Sequence, residues 1–362
     1  METLYVRYGN DGKSMAMHLL ELMDIAGLID TSRSVIIKPN LVKASPAQEG
    51  ATTHPEIVAG IIEYLKNRGI QNIEIAEGSW LGASTRDAFR VCGYESLSRE
   101  YGVPLIDLKS DRTTEVTVEG MKLKVCSRIA EAGFLINVPV MKAHCQTTMT
   151  CALKNLKGCI PDSEKRRYHT LGIHRPVAYL NKALKTDLVI VDALCGDLYF
   201  EEGGTPVRMS RIIAGSNPLN VDLYCSGLLG YAPDDIEYLN VAKGIGIGDG
   251  NYEVIETNTC SSLADCTDMI NASQRRLAGL TENIVSDQAC SACYGGLIQA
   301  ISRMRDSSLL KKLGKIHIGQ GFKGKSIDGT GIGSCTSGFT RSLKGCPPDA
   351  IDIIEFCRRI SS

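Results

Sequence analysis

Apolar positions along the chain follow two alternating rhythms. Short runs rich in β-branched residues alternate with stretches whose apolar residues recur every three or four positions. Ser34–Lys38 (SVIIK) and Asn72–Ala76 (NIEIA) read as buried strands. Between them, Pro55–Arg68 carries Ile57, Val58, Ile61, Ile62 and Leu65 on one helical face. Thr53 and Glu56 form a capping-box pattern at its start, and Gly69 provides the stop. This predicts a β-α-β unit with parallel strands and a right-handed crossover. Further strands are predicted at Phe134–Val140, Asp187–Asp192 and Arg211–Ala214, and helices at Arg86–Cys92, Pro176–Leu184, Leu219–Leu229 and Asp234–Ala242. Glu115–Val125 alternates polar and apolar residues, as a hairpin does. The expected fold class is α/β, a mostly parallel sheet with flanking helices.

The pattern loosens at Gly244, Gly246, Gly248 and Gly250, and cysteine use changes beyond them. We therefore expect an α/β domain over residues 1–250 and a smaller, cysteine-rich α/β region over 251–362. The glycine run follows a helix instead of a strand and lacks the dinucleotide-binding spacing, so it reads as a turn. Beyond it, Lys315–Gly319 is strand-like, Gly295–Met304 is an amphipathic helix, and Pro347-Pro348 opens a second helix with Ile351, Ile354 and Phe356 facing inward.

Charge narrows the partners. Lys+Arg is 40 and Asp+Glu is 41, giving a net charge of −1. With no basic surplus, neither nucleic acid nor an anionic membrane is an expected partner, and any anion binding must be local. The first residues lack a basic segment followed by an apolar run, and no apolar stretch is long enough for a bilayer, so a cytoplasmic protein is expected.

Cysteine stands out, with 14 residues. In a reducing compartment these are expected to serve as metal ligands, as reactive thiols, or as tolerated thiols in an oxygen-poor host. Cys290-Ser-Ala-Cys293 precedes a helix, Cys335 lies in Gly333-Ser-Cys335, and Cys346 lies in Gly345-Cys346-Pro347-Pro348. Small neighbours let backbone N–H groups approach an iron–sulfur cluster, and helix N-termini stabilise thiolates. Zinc would use the same four thiolates, usually as two short-spaced knuckles, whereas ten residues separate Cys335 from Cys346. A thioredoxin-type pair would leave Cys335 and Cys346 unexplained. Cys260 and Cys266 are reserve ligands; Cys145, Cys151 and Cys159 fit no standard spacing; Cys92, Cys126, Cys195, Cys225 and Cys357 read as small buried hydrophobes. The CxxC, GSC and GCPP motifs resemble those of the cluster-binding small subunits of nickel–iron hydrogenase and respiratory complex I. That resemblance implies one [4Fe-4S] cluster held by Cys290, Cys293, Cys335 and Cys346.

A second constellation follows the strands. It comprises Lys38 and Asn40, then Thr53 and His54 at a helix start, Glu77-Gly78-Ser79, Lys142 and His144, Lys154 and Asn155, and Asp192. Ligands of open parallel sheets bind beyond the carboxyl ends of the strands. Lys38, Asn40, Thr53, His54, Lys154 and Asn155 are therefore candidates for binding a small anion, a carboxylate or phosphate, with Lys142 and His144 as candidate catalytic groups. The plainer reading is that the Asn side chains satisfy loops and the His is structural.

The phrases IKPNLV, TTHP, LINVPVMKAH, ALKNLKG, LVIVDA and NPLNVDL resemble the prokaryotic family catalogued as domain of unknown function 362, over residues 34–250. That resemblance implies an iron–sulfur cluster-binding protein. The usual ferredoxin repeat is missing here, and the Cys290–Cys346 set takes its place. The expected function is an oxidoreductase or electron-transfer component of an anaerobic pathway, with a redox partner such as ferredoxin. Alternatives are a hydro-lyase or isomerase whose three-cysteine cluster binds substrate, and a ligand-binding or cluster-delivery protein without turnover.

Overall fold

Val35, Ile36 and Ile37 are wholly buried, as in a strand covered on both faces. They belong to an eight-stranded sheet in the computed structural model, which describes residues 1–258, 281–304 and 313–361. The strands are β1 (Glu2–Tyr8), β2 (Val35–Pro39), β3 (Ile73–Glu77), β4 (Leu105–Asp107), β7 (Phe134–Val138), β10 (Leu188–Asp197), β11 (Pro206–Gly215) and β12 (Tyr252–Glu256). Their order is β12-β1-β11-β10-β7-β2-β3-β4. Only β11 pairs antiparallel with its neighbours, so the sheet is mostly parallel, as expected. Two hairpins stand apart, β5 (Thr113–Val118) with β6 (Met121–Cys126) and β8 (Lys142–His144) with β9 (Thr148–Thr150).

The topology has a functional consequence. From β2 the order runs one way to β3 and β4, then resumes on the other side of β2 with β7 and β10. The switch point lies between β2 and β7, the place beyond the carboxyl ends where open parallel sheets characteristically bind ligands. The end of β2 carries Lys38, and the segment after Val138 carries Lys142.

Contacts divide the chain into Met1–Lys165 with His174–Ile270, and Arg166–Ile173 with Asn271–Ser362. The parallel pairing of β12 with β1 carries the first unit past the Gly244–Gly250 turn. The second unit has its own parallel sheet, β13 (Ile284–Ser286), β14 (Ile316–Ile318), β15 (Ile327–Ile332) and β16 (Phe339–Leu343), in sequential order. Helices Ser291–Arg303 and Ala350–Ser361 pack Leu297, Ile301, Ile353 and Phe356 with Ile316, Ile318 and Ile332.

Two local expectations need correction. The helix after Thr53 starts at Pro55 with His54 as its cap, and no capping box forms. Thr53 Oγ1 instead accepts the Asn40 N–H and donates to Val138 O, both at 2.8 Å, joining the segments after β2 and β7. In the last helix Ile351 is 63% exposed, and Ile353 takes the inward place. The aspartates at 349 and 352 do not mark the apolar face; the 3.6-residue period from Ile353 to Phe356 and Cys357 does.

Candidate functional site

Four lysines of the first unit are buried, and their partners separate them. Lys38, at the end of β2, donates to Glu77 Oε2 (2.6 Å), Pro39 O (2.9 Å) and Asn155 Oδ1 (3.1 Å). Lys142 donates to Glu201 O (2.9 Å), Asn40 Oδ1 (3.2 Å) and Ala51 O. Lys165 donates to Ser79 O (2.7 Å), Gly78 O (3.0 Å) and Asp162 Oδ1 (3.1 Å). An ammonium has three N–H bonds, so these three lysines are fully spent on the protein. Lys154, only 8% exposed, makes one hydrogen bond among the described residues, to Thr150 Oγ1 at 3.2 Å. Burial lowers both Lys142 and Lys154 to about 7, against an opposing pull from Glu201.

Asn40 and Asn155 link these groups. Asn155 Oδ1 accepts from Lys38 and from Asn40 Nδ2 (2.8 Å), while Asn155 Nδ2 donates to Asn137 Oδ1 (2.7 Å). The chain Glu77–Lys38–Asn155–Asn40–Lys142 thus crosses the switch point with its polar atoms paired. A Cβ on Gly158 would stand 2.0 Å from Glu77 Oε1 and 2.8 Å from Lys38 Nζ, so glycine is needed at this crossing. Asp222, which the sequence did not single out, accepts the N–H groups of Ala152 (2.7 Å) and Leu153 (3.0 Å) at the start of the turn bearing Lys154. Burial raises its carboxyl to about 7.

His144, Cys145 and Glu201 bring three ligand-type atoms within 4.8 Å of one another, a group able to hold a metal ion. The histidine weighs against that use. Its Nδ1 accepts the N–H of Gln146 (3.0 Å) and of Thr147 (3.4 Å), so the neutral ring carries its proton on Nε2, facing Glu201 Oε1 at 3.5 Å. A metal-bound imidazole normally donates its other N–H outward, and here that nitrogen meets two donors. Cys145 Sγ also donates to Glu201 Oε1 (3.2 Å), and the thiol is pushed well above its ordinary value by burial and by Glu201. The arrangement suits a hydrogen-bonded relay ending on the Glu201 carboxylate.

His54 is placed elsewhere than among the lysines. Its Nδ1 and its backbone N–H both meet Asp192 Oδ2 at 2.8 Å, and it lines a cavity with Leu194, Cys195 and Arg208.

In the second unit, Cys290 caps helix Ser291–Arg303 and Cys293 lies in its first turn. The loops of Cys335 and Cys346 are tied together: Ser334 N donates to Gly345 O (2.9 Å), and Gly345 N to Ser334 Oγ (3.1 Å). Gly345 adopts a φ of +141°, and a Cβ there would meet Pro348 Cα at 2.7 Å. Gly296 of the helix lies against Pro348 O, its Cβ position 3.4 Å away, which brings the Cys293 turn to the Cys346 loop. Burial raises the Cys293 thiol, and the charges of Cys290, Cys346 and Cys335 raise it further, so these three cysteines lie within electrostatic reach of Cys293. Burial also raises Cys335, opposed by Lys323 and Arg166. Cys346 is exposed and Cys290 buried. Cys260 and Cys266 lie outside the described residues.

Among the described residues no helix is long and apolar enough to cross a membrane. The thylakoid-associated protein sll1697 of Synechocystis sp. is 24% identical over 227 residues, covering 59% of this chain and 68% of that protein. Of solved structures, the lactate racemase apoprotein from Thermoanaerobacterium thermosaccharolyticum is similar at a TM-score of 0.41 and 15% identity, over 62% of this chain. The match spans 56% of that protein, a little over half its length. The profile described as Domain of unknown function (DUF362) matches residues 35–227, more than half of the chain, and the chain belongs to that family.

Proposed function

We propose that the protein is an iron–sulfur protein that also binds a small anionic molecule, with a [4Fe-4S] cluster on Cys290, Cys293, Cys335 and Cys346 and the anion at Lys154. The cysteine quartet carries this reading: four thiols from one helix start and two tied loops influence one another electrostatically. Burial and the neighbouring cysteines raise the Cys293 thiol, and burial and Cys346 raise that of Cys335, so these thiols ionise readily only around a cation.

Their spacing favours a cluster over zinc. Zn–S bonds of ~2.3 Å hold tetrahedral sulfurs within about 4 Å of each other. Among the described residues, the ligand group within 4.8 Å is His144, Cys145 and Glu201, not the cysteines. A cluster, which needs a wider ring of sulfurs, would supply single-electron transfer when bound.

In the first unit, Lys154 is the buried lysine with donors to spare, beside the His144–Glu201 pair. It is the group suited to an incoming carboxylate or phosphate, while Lys38 and Lys142 hold the walls. Replacing each of the four cysteines by alanine, followed by anaerobic iron counting, tests the cluster. Equal loss of iron in all four supports four-cysteine ligation, and full iron in any two of them contradicts it.

The exposure of Cys346 favours a second reading, a cluster with three firm ligands and an iron open to substrate, as a hydro-lyase or isomerase needs. In that case Cys346→Ala alone keeps most of its iron.

A further inference from the structure

His54 is used by neither part of the proposed function. Its side chain is 7% exposed, and its Nδ1–H is committed to Asp192, whose other oxygen accepts the Leu194 N–H at 3.1 Å. A carboxylate fixed by backbone donors holds the imidazole in one tautomer, with the lone pair on Nε2. That nitrogen has no partner among the described residues, and the ring lines a cavity of about 290 Å³. The cavity lies at the small end of the ~300–1,000 Å³ range of ligand pockets.

The groups facing His54 are Asp192 behind it, Glu56 of its own helix, and Cys195 and Arg208 from β10 and β11. Arg208 makes no hydrogen bond or ion pair among the described residues. With His54 neutral, Asp192, Glu56 and Arg208 leave a net charge of −1 that repels an anion. Protonating His54 brings it to zero, so a monoanion binds with proton uptake and a dianion is disfavoured. Burial works against protonation of His54, but the charge and hydrogen bond of Asp192 outweigh it and raise the imidazole above its ordinary value.

We propose that this cavity is a second small-molecule site, taking a small organic carboxylate that binds His54 and Arg208 together. Above neutral pH, binding is coupled to proton uptake. A proton from solvent goes to His54 Nε2, which then donates to the carboxylate, and no covalent bond changes.

The test is nitrogen-15 NMR of the full chain labelled at histidine, titrated at pH 8 with acetate and separately with inorganic phosphate. Acetate should move one histidine Nε2 signal saturably from the unprotonated to the protonated range, with phosphate binding more weakly. His54→Gln should remove that signal. Arg208→Gln, at an exposed position without structural bonds, should weaken acetate roughly tenfold or more. Lys154→Met, which removes the proposed anion site at the other cluster, should leave the response intact, so the two readings fail separately. The proposal is overturned if acetate gives no saturable change, if Arg208→Gln responds like the parent, if phosphate binds more tightly than acetate, or if Lys154→Met abolishes the response.

Discussion

The lysine cluster of the first unit and the cysteine quartet of the second handle buried titratable groups in opposite ways. Lys38, Lys142 and Lys165 each have three protein acceptors, so their charges are answered from within. In the quartet, burial and the other three cysteines raise the Cys293 thiol, and burial and Cys346 raise that of Cys335, which its neighbouring cations only partly offset. A site that satisfies itself is a wall, and a site that repels itself calls for something from outside. By that criterion Lys154 belongs with the cysteines, because its ammonium is buried with most of its donors unspent.

The sharpest break between the two regions should come from Cys293→Ala, which is expected to lose essentially all iron while the first unit keeps its far-ultraviolet circular dichroism. Next, Lys38→Met leaves Glu77 buried against an uncharged neighbour, and should cost about 3–5 kcal/mol in urea unfolding. A Lys38→Met/Glu77→Leu double variant should recover a large part of that, since removing both partners of a buried pair is often tolerated.

The pH dependence of stability comes next in size. Lys142 and Lys154 titrate near 7 in the folded protein, below their ordinary 10.5. Between those values the unfolded chain binds more protons, so stability rises with pH, by about 1.4 kcal/mol per unit for each lysine. Lys154→Met should remove its share of the slope in urea titrations between pH 7 and 10. Asp222 acts oppositely: raised to about 7 from 3.8, it holds its proton longer in the folded state. Stability should therefore fall as pH rises from about 4 to 7, and Asp222→Asn should flatten that fall. The smallest effect expected is that of Lys154→Met on stability at pH 7, within about 1 kcal/mol, since one hydrogen bond to Thr150 is lost. A loss as large as that of Lys38→Met would place Lys154 among the walls.

Much of the architecture was legible because inner parallel strands are continuous apolar runs. Val35–Pro39 and Phe134–Val138 announce themselves in this way. The antiparallel insertion of β11 was not legible, because strand direction depends on partners and the run Ile212–Ala214 carries no arrow. The lysines could be found by their position after strands, but not sorted. The acceptors that spend Lys142 and Lys165 are mainly backbone carbonyls of Ala51, Glu201, Gly78 and Ser79, which no side-chain motif records. Glu201 escaped notice because it lies in a loop far along the chain from His144 and Cys145. His54 was legible as a functional type but not in its direction, which is set by Asp192, distant in sequence.

Metal analysis with electron paramagnetic resonance, on the full chain purified without oxygen, bears on the whole account. The cysteine quartet predicts about four irons and four sulfides per chain, a brown colour bleached by dithionite, and a signal in the reduced sample. A colourless protein holding one zinc per chain, or no metal, would contradict it.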